Sequence, residues 1–247
     1  MRFDGKRVIV TGGASGFGRA ICQSFAGRGA QVMVTDIDIE GADEVASGLD
    51  GALAFRLDVT DEDAHVELAK LMASTWGGID IVAANAGFAH RMGSILDIST
   101  EEFDLMWAVN TRSVYFAVKH FTPLMPPGSS IVSTASIGGK RPRPGLTPYN
   151  TSKAATIVLT RGLAEEFAPD IRINCVAPVA SDTAFFVRAT GQDTLPPPLK
   201  QSIIDGIPMG RMTDPTDVAN AVMFLASDEA SFLTGVCLDV DGGRSIS

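Results

Sequence analysis

Short strand-like runs alternate with helical patterns along almost the whole chain, and this alternation restricts the folds that the chain can adopt. Runs rich in β-branched and other apolar residues lie near 6–11, 31–36, 52–57, 79–84, 129–135, 171–177 and 236–240. Strands separated by helices pair in parallel, and helices then cover both faces of the sheet. We therefore predict an α/β fold, a doubly wound parallel seven-stranded sheet with helices on both faces, in a single domain over residues 1–247.

A glycine-rich turn follows the first of these strands. Residues 11–18 read T-G-G-A-S-G-F-G, between the strand-like run 7–10 and a helical pattern over 19–28. In such a turn, backbone N–H groups can approach a pyrophosphate, and the N-terminus of the next helix favours its negative charge. The spacing is G-x-x-x-G-x-G rather than the more common G-x-G-x-x-G. A turn that needs glycine only for its dihedral angles is the alternative; the position after a first strand favours a dinucleotide site of the Rossmann type.

A carboxylate ends the second predicted strand. Asp36 lies 18 residues after Gly18, close to the offset of about 20 residues at which an acidic side chain hydrogen-bonds the adenosine ribose. A carboxylate there binds the two ribose hydroxyls of NAD and repels the 2′-phosphate of NADP. The sequence therefore predicts NAD as the cofactor.

A tyrosine and a lysine stand four residues apart in Tyr149-Asn150-Thr151-Ser152-Lys153. Residues at this spacing share one face of a helix, so the phenol and the ammonium are expected to be neighbours. A nearby positive charge favours the phenolate and would lower the pKa of Tyr149 from about 10. Such a tyrosine is suited to general acid/base catalysis at an alcohol oxygen.

These motifs together resemble the short-chain dehydrogenase/reductase family, in its standard-length branch, which includes 3-oxoacyl-carrier-protein reductases and glucose 1-dehydrogenases. The resemblance covers nearly all 247 residues. Besides the motifs above, it rests on Asp58-Val59, Asn85-Ala86-Gly87, Asn110, Ser136, Asn174, Pro178, Thr183 and the segment 239–243. Ala84 and Val179 depart from the family pattern, which often has an asparagine and usually a glycine at these positions.

The resemblance implies a role for each matched residue. Tyr149 would be the general acid/base, Ser136 would hold the substrate oxygen, Lys153 would bind the nicotinamide ribose, and Asn110 would hold a water molecule. Ser136 as a structural serine and Asn110 as a backbone-bonded amide are the alternatives. The implied cofactor-binding residues are Gly12, Ser15, Gly16, Phe17, Gly18, Asp36, Ile37, Asp58, Val59, Asn85, Ala86, Gly87, Tyr149, Lys153, Pro178, Val179 and Thr183. NADP-preferring members tend to carry Arg or Lys where this chain has Ser15 and Ile37, which again favours NAD.

The segment of about 180–210 departs from the strand–helix alternation and includes Pro196-Pro197-Pro198. A long irregular insert in a compact domain is usually functional or disordered, and the resemblance implies a lid over the substrate. We expect the substrate to be a secondary alcohol or ketone. Basic and aromatic residues are expected on the loops around it: His90, Arg91, Lys140, Arg141, Arg143, Phe185, Phe186 and Arg188. They either recognise a carboxylate or phosphate or form a solvated rim.

Composition excludes several other classes of function. The net charge of −9 argues against nucleic-acid binding. No apolar stretch has the length of a membrane helix, and residues 1–6 lack a signal-peptide pattern, so we expect a cytoplasmic protein that does not bind membranes. The three histidines have no metal-ligand spacing, and no catalytic metal is expected. The three cysteines are expected to be free thiols.

Two alternative functions remain open at this point. A reductase of 3-oxoacyl thioesters shares the fold and the catalytic residues but would normally use NADPH. A non-catalytic dinucleotide-binding sensor or scaffold would keep the glycines, although such proteins typically lose the tyrosine or the lysine.

The predicted helices around 101–121 and from about Thr147 onward carry apolar residues on more than one face. One face of each covers the sheet, and the surplus apolar surface is expected to pack against another copy of the chain. Two-fold pairing of both helices, together with a second contact through 242–247, predicts a homotetramer, with a dimer as the fallback. Burial of both helices within one protomer by the lid is the alternative.

Overall fold

A computed structural model of the protein describes residues 1–181 and 196–246. Within these ranges, seven strands form one sheet in the order β3-β2-β1-β4-β5-β6-β7, and every neighbouring pair is parallel. The strands are β1 (Arg7–Thr11), β2 (Gln31–Asp36), β3 (Leu53–Arg56), β4 (Ile81–Ala84), β5 (Ser129–Thr134), β6 (Ile171–Pro178) and β7 (Cys237–Val240). The predicted doubly wound seven-stranded sheet is confirmed.

Helices connect the strands. They are α1 (Gly16–Ala26), α2 (Ile39–Ser47), α3 (Glu62–Trp76), α4 (Thr100–Trp107), α5 (Ser113–Phe121), α6 (Thr147–Phe167), α7 (Pro197–Asp205) and α8 (Pro215–Ala226). A π-helical turn, Ala108–Arg112, joins α4 to α5. No helix in the described part of the chain is long and apolar enough to cross a membrane.

The central strands β1, β2 and β4 are apolar on both faces because each face packs against helices. In β1, Val8 and Val10 belong to a core shared with α1 and α8, while Ile9 between them points to the opposite core under α3 and α5. Successive side chains of a strand point to opposite faces of a sheet. A two-sided core therefore requires continuous apolar runs rather than alternating ones, as β1 shows.

The strand order reverses between β1 and β4, which are neighbours in the sheet. The connections after β1 and after β4 lead to opposite sides, so a crevice opens beyond the carboxyl ends of these two strands. The glycine-rich turn leaves β1 at this crevice, and the segment Asn85-Ala86-Gly87 leaves β4 there.

The expectation of irregular chain over 180–210 is wrong for part of that segment. Residues Pro197–Asp205 form α7, with prolines in its first turn. Proline is tolerated there because the first backbone N–H groups of a helix have no intrahelical partner. The remainder of the predicted lid between 182 and 195 lies outside the described residues.

Candidate active site

The sequence-predicted residues converge on one cavity of about 630 Å³ at the carboxyl edge of the sheet. Those that line it are Gly12, Ser15, Gly16, Phe17, Asp36, Ile37, Asp58, Val59, Asn85, Ala86, Gly87, Ser136, Tyr149, Lys153, Pro178 and Val179. Gly18 and Asn110 lie behind its wall, and Thr183 falls outside the described residues. Residues from six different strand ends thus meet in one place.

The glycine-rich turn is held against the segment after β4. Thr11 Oγ1 accepts hydrogen bonds from the backbone N–H groups of Asn85 and Ala86, each at 3.0 Å, and Asn85 Nδ2 donates to Thr11 O at 3.1 Å. A Cβ on Gly18 would overlap the carbonyl oxygen of Gly12 and lie 2.8 Å from Asn85 Nδ2. Only glycine allows α1 to approach the turn so closely.

Asp36 stands at the end of β2, beside the same turn. Its Oδ2 accepts a hydrogen bond from Ala14 N at 3.0 Å, and its Oδ1 accepts one from Asp38 N at 3.1 Å. Asp38 and Asp58 also line this end of the cavity, whereas Arg143 and Lys153 are the basic residues among its described lining. The surroundings of Asp36 are therefore acidic.

Asp58 lies at the start of the loop after β3, where it hydrogen-bonds within the loop and also lines the cavity. Its Oδ1 accepts hydrogen bonds from Thr60 N at 2.9 Å and Thr60 Oγ1 at 2.7 Å, as a cap of the strand end would. Asp58 nevertheless lines the cavity, next to Val59. The hydrogen bonds with Thr60 therefore hold the Asp58 carboxylate in place at the cavity wall.

Asn110 lies in the π-helical turn and is fully buried. Its side chain accepts a hydrogen bond from Phe88 N at 2.9 Å and donates to Phe88 O at 2.8 Å and Ser152 Oγ at 3.0 Å. Its backbone oxygen accepts from Thr156 Oγ1 at 2.8 Å. Asn110 thereby ties the loop after β4 to α6.

The helix α6 begins at Thr147, as expected, and carries Tyr149 and Lys153 into the cavity wall. Lys153 is only 2% exposed; its Nζ donates to Thr134 O at 2.7 Å and lies 6.0 Å from the centre of the Tyr149 ring. Ser136, just beyond β5, hydrogen-bonds with Tyr149 and accepts a hydrogen bond from Gly138 N at 3.0 Å. Three of the four predicted catalytic side chains, Ser136, Tyr149 and Lys153, are thus brought together at the cavity.

The pKa values of this cluster differ from the sequence-based expectation. Burial raises the pKa of Tyr149 to about 12, and the hydrogen bond with Ser136 offsets this only in part. Burial also lowers the pKa of Lys153 to about 8. The prediction that Lys153 lowers the Tyr149 pKa below its ordinary value is wrong for this structure, because burial of the phenol disfavours its charged form.

Beyond Tyr149 the cavity wall is largely apolar. The residues that line it there are Phe88, Ala89, Met92, Leu105, Val109 and Leu146, from the loop after β4, from α4 and its π-helical turn, and from the segment before α6. Sequence reasoning did not identify them. They carry no motif, and the only available signal was their position near the predicted substrate loops.

The basic residues expected around the substrate differ from one another in their partners and in whether they line the cavity. Lys140 pairs with Asp239 at 2.5 Å, and Arg141 donates to the carbonyl oxygen of Arg244 at 2.7 Å. His90 is buried, with Nδ1 against the carbonyl oxygen of the exposed Arg91 at 2.7 Å. Of this described set, Arg143 alone lines the cavity. Phe185, Phe186 and Arg188 lie outside the described residues.

Val179 and Ala84, the two residues that depart from the family pattern, are both buried. Val179 is buried, lines the cavity, and donates its backbone N–H to Val240 O at 3.2 Å. Ala84 is buried in β4, in register with Ser133 of β5. Within the described ranges, no group of three or more His, Cys, Asp or Glu side chains is arranged to hold a metal ion.

Comparison with known proteins agrees with this site. A family model described as enoyl-(acyl carrier protein) reductase matches residues 12–245. The chain is 44% identical to a 4-formylbenzenesulfonate dehydrogenase of Comamonas testosteroni over 256 aligned positions, which cover 100% of both chains. It is 36% identical to a 3-oxoacyl-[acyl-carrier-protein] reductase of Thermotoga maritima, again over 100% of both.

Among solved structures, a 3-ketoacyl-(acyl-carrier-protein) reductase from Brucella melitensis, complexed with NADH, superimposes with a TM-score of 0.90 at 37% identity. The match covers 98% of this chain and 99% of the other. The chain belongs to the short-chain dehydrogenase/reductase family, and is an oxidoreductase of the kind that binds a nicotinamide dinucleotide and acts on CH–OH groups.

Proposed function

We propose that the protein is an NAD-dependent dehydrogenase that transfers a hydride between an alcohol or carbonyl carbon and NAD, with Tyr149 as the general acid/base. The observation that supports this best is the meeting of Ser136, Tyr149 and Lys153 in a cavity that is also lined by the glycine-rich turn and Asp36. A cavity of about 630 Å³ lies within the range of about 300–1,000 Å³ that is usual for cofactor and ligand sites.

The residues around the cavity fit a dinucleotide. The turn over 12–18 would hold the pyrophosphate, Asp36 the adenosine ribose, and Asp58 with Val59 the adenine. The nicotinamide half would be held by the segment 85–87, Lys153, Pro178 and Val179. Thr183 is proposed to bind the same half of the cofactor. When bound, NAD supplies the acceptor for the hydride.

The catalytic steps proposed for this chain concern the proton and the substrate oxygen. In oxidation, the phenolic oxygen of Tyr149 takes the proton of the substrate hydroxyl, and in reduction it returns it. The Ser136 hydroxyl donates a hydrogen bond to the substrate oxygen and stabilises its developing charge. The Lys153 ammonium, in its charged form, binds the ribose hydroxyls of the cofactor. Asn110 positions α6 against the loop after β4.

NAD rather than NADP is favoured by charge. Asp36, Asp38 and Asp58 make the ribose end of the cavity acidic, which opposes a 2′-phosphate. The nearby Arg19 is already engaged, because it donates to Ala14 O and to Glu44 Oε1, both at 3.1 Å.

The apolar wall beyond Tyr149 favours a substrate with an apolar body next to the reacting carbon. The relative with 44% identity is named for 4-formylbenzenesulfonate, which has an aromatic ring beside its carbonyl group. We therefore place aryl and alkyl secondary alcohols and ketones, together with aryl aldehydes, in the proposed range. The segment 180–210 is proposed to cover this end of the site.

A 3-oxoacyl thioester reductase that uses NADPH is the second candidate, since two of the relatives carry that kind of name. Acetoacetyl-CoA with NADPH is its diagnostic substrate pair. A non-catalytic sensor is disfavoured, because Ser136, Tyr149 and Lys153 are all in place.

We propose further that the protein assembles as a homotetramer, with a dimer as the fallback. Phe116, Val118 and Phe121 of α5 and Ile157 and Leu163 of α6 are buried within the protomer, but Phe103, Leu105, Tyr115 and Val158 are 38%, 42%, 44% and 67% exposed. This exposed apolar surface on neighbouring helices would be covered by the same helices of a second copy. A cytoplasmic location is part of the proposal, in keeping with three free cysteines.

The proposed function is tested by turnover with a panel of alcohols, followed as NADH formation at its absorbance band. The panel contains 1-phenylethanol, 2-butanol and 4-(hydroxymethyl)benzenesulfonate, each with NAD and with NADP, so that every substrate carries a CH–OH group. Turnover with NAD is expected. Reduction of acetoacetyl-CoA by NADPH, with no turnover of the panel, would instead establish the second candidate.

A further inference from the structure

Arg143 is the one described basic residue that lines the substrate end of the cavity near Tyr149 without belonging to the catalytic cluster. Its side chain is half-buried and has no hydrogen bond or ion pair to another residue in the described part of the chain. By contrast, Lys140 is paired with Asp239. Arginine is rarely buried unless it is paired. A half-buried guanidinium that lines a cavity therefore suggests a partner that is not part of the described chain, such as a ligand.

The backbone holds Arg143 in a defined place. Residues 143–146 form a turn in which Leu146 N donates to Arg143 O at 3.3 Å, with Pro144 second and Gly145, at φ +80°, third. Proline and glycine in these positions, with the positive φ at the glycine, define a type II turn. Asn150 Nδ2 donates to Arg143 O at 3.0 Å, which fixes the turn to the first turns of α6.

The charges that act on Arg143 are positive. Burial lowers the pKa of its guanidinium, and so do the neighbouring Arg244 and Arg141, whereas no carboxylate among the described residues raises it. The acidic residues of the cavity, Asp36 and its neighbours Asp38 and Asp58, line the opposite, ribose end. The substrate end therefore offers a positive charge within an apolar wall.

We propose that Arg143 binds an anionic group of the substrate, so that the substrates are alcohols or carbonyl compounds with an apolar body and a sulfonate or carboxylate away from the reacting carbon. This inference rests on the proposed function, because it concerns the substrate end of the same cavity. A planar guanidinium binds two oxygens of such a group at once. The apolar residues around it would bury the body of the substrate.

The test measures ligand binding rather than turnover. Calorimetry on the enzyme–NADH complex compares 4-methylbenzenesulfonate and 4-methylbenzoate with 4-methylbenzenesulfonamide, which has nearly the same shape as the sulfonate and no charge. At least one of the two anions is expected to bind about 10- to 100-fold more tightly than the sulfonamide, as a charge-assisted hydrogen bond allows. Comparison of the two anions identifies the anionic group that the site prefers.

Arg143→Met should abolish this preference, Arg143→Gln should do the same, and Arg143→Lys should keep part of it. Arg91→Met is the matched control, because Arg91 is an exposed arginine on the neighbouring loop that does not line the cavity, and it should keep the full preference. The Kd of NADH should not change in any of these variants.

An unmodified protein without anion preference would overturn the inference, and so would Arg143→Met with its preference intact or an equal loss in Arg91→Met. These outcomes are separate from failure of the proposed function. Absent turnover with an Arg143-dependent anion preference would contradict only the dehydrogenase proposal. Turnover of neutral alcohols without anion preference would contradict only the role of Arg143.

Discussion

Asp36 and Ala14 are joined by a hydrogen bond, in which the Ala14 backbone N–H donates to Asp36 Oδ2 at 3.0 Å. The bond links the end of β2 to the glycine-rich turn after β1. The carboxylate proposed to bind the adenosine ribose therefore also holds the turn proposed to bind the pyrophosphate. Substitution of Asp36 will therefore affect the ribose site and the glycine-rich turn together. The effect of its charge is isolated by the ratio of kcat/KM with NAD to kcat/KM with NADP.

The unmodified protein is expected to prefer NAD over NADP by about tenfold or more in kcat/KM, because the acidic ribose end repels a 2′-phosphate. Asp36→Ala should relax this preference. Asp36→Asn is the matched variant, since it keeps an oxygen that can accept from Ala14 N while removing the charge. Steady-state kinetics with both cofactors measure the ratio. Equal use of NAD and NADP by the unmodified protein would refute the assignment of Asp36.

Gly18→Ala is expected to destabilise the protein by about 1–3 kcal/mol, because the new Cβ would overlap Gly12 O and force α1 away from the turn. NADH binding should weaken in parallel. Gly162→Ala is the control: Gly162 lies in α6, is exposed, and has no atom within 4 Å of a new Cβ. That substitution should stabilise the protein by about 0.5–1 kcal/mol. Urea denaturation of both variants checks the pair, and a neutral Gly18→Ala would contradict the close approach.

The fold was predictable from the sequence because a parallel sheet covered on both faces leaves long apolar runs. The run expected at 31–36 is the strand Gln31–Asp36, for example, and its Val32, Met33 and Val34 are all buried. The helix Pro197–Asp205 was missed because three consecutive prolines normally oppose a helix. Their position at its start, where an N–H is not needed, follows from the tertiary structure and not from local sequence.

Sequence motifs predicted which residues line the site. They did not predict the pKa values or the ion pairs of those residues, because these depend on burial in the folded structure. Tyr149 and Lys153 meet at the cavity as their spacing requires, but their pKa values depend on desolvation by segments distant in sequence. Lys140 and Arg143 are three residues apart, yet Lys140 has a partner in β7 and Arg143 faces the cavity. Only the three-dimensional structure separates a charge that has a partner from one that has none among the described residues.

The rate of alcohol oxidation is expected to increase with pH. Tyr149 can take the substrate proton only as the phenolate, and its pKa of about 12 means that this form becomes more populated as the pH rises through the neutral and alkaline range. In reduction, Tyr149 must instead donate a proton, and its protonated form is already dominant. The expected kcat/KM for oxidation thus rises from about pH 6 to about pH 8, the pKa to which burial lowers Lys153, while that for reduction does not. An oxidation rate that falls over this range would be inconsistent with Tyr149 as the base.

Val158→Asp is expected to reduce the assembled mass, because it places a charge on the exposed apolar face of α6. Light scattering at micromolar concentration should give about four times the 26.0 kDa protomer for the unmodified protein. Phe232→Asp is the control, as Phe232 is fully exposed but lies outside these helices. A mass near one protomer for the unmodified protein would rule out the assembly.

The most direct test of the proposed chemistry is Tyr149→Phe. The substitution removes the hydroxyl that carries the proton and keeps the ring within its apolar surroundings. NADH formation from an alcohol of the test panel should fall by about 10²- to 10⁴-fold, while the Kd of NADH, followed by its fluorescence, should remain nearly unchanged. Retention of full turnover by Tyr149→Phe would show that the proton moves through another group and would contradict the account.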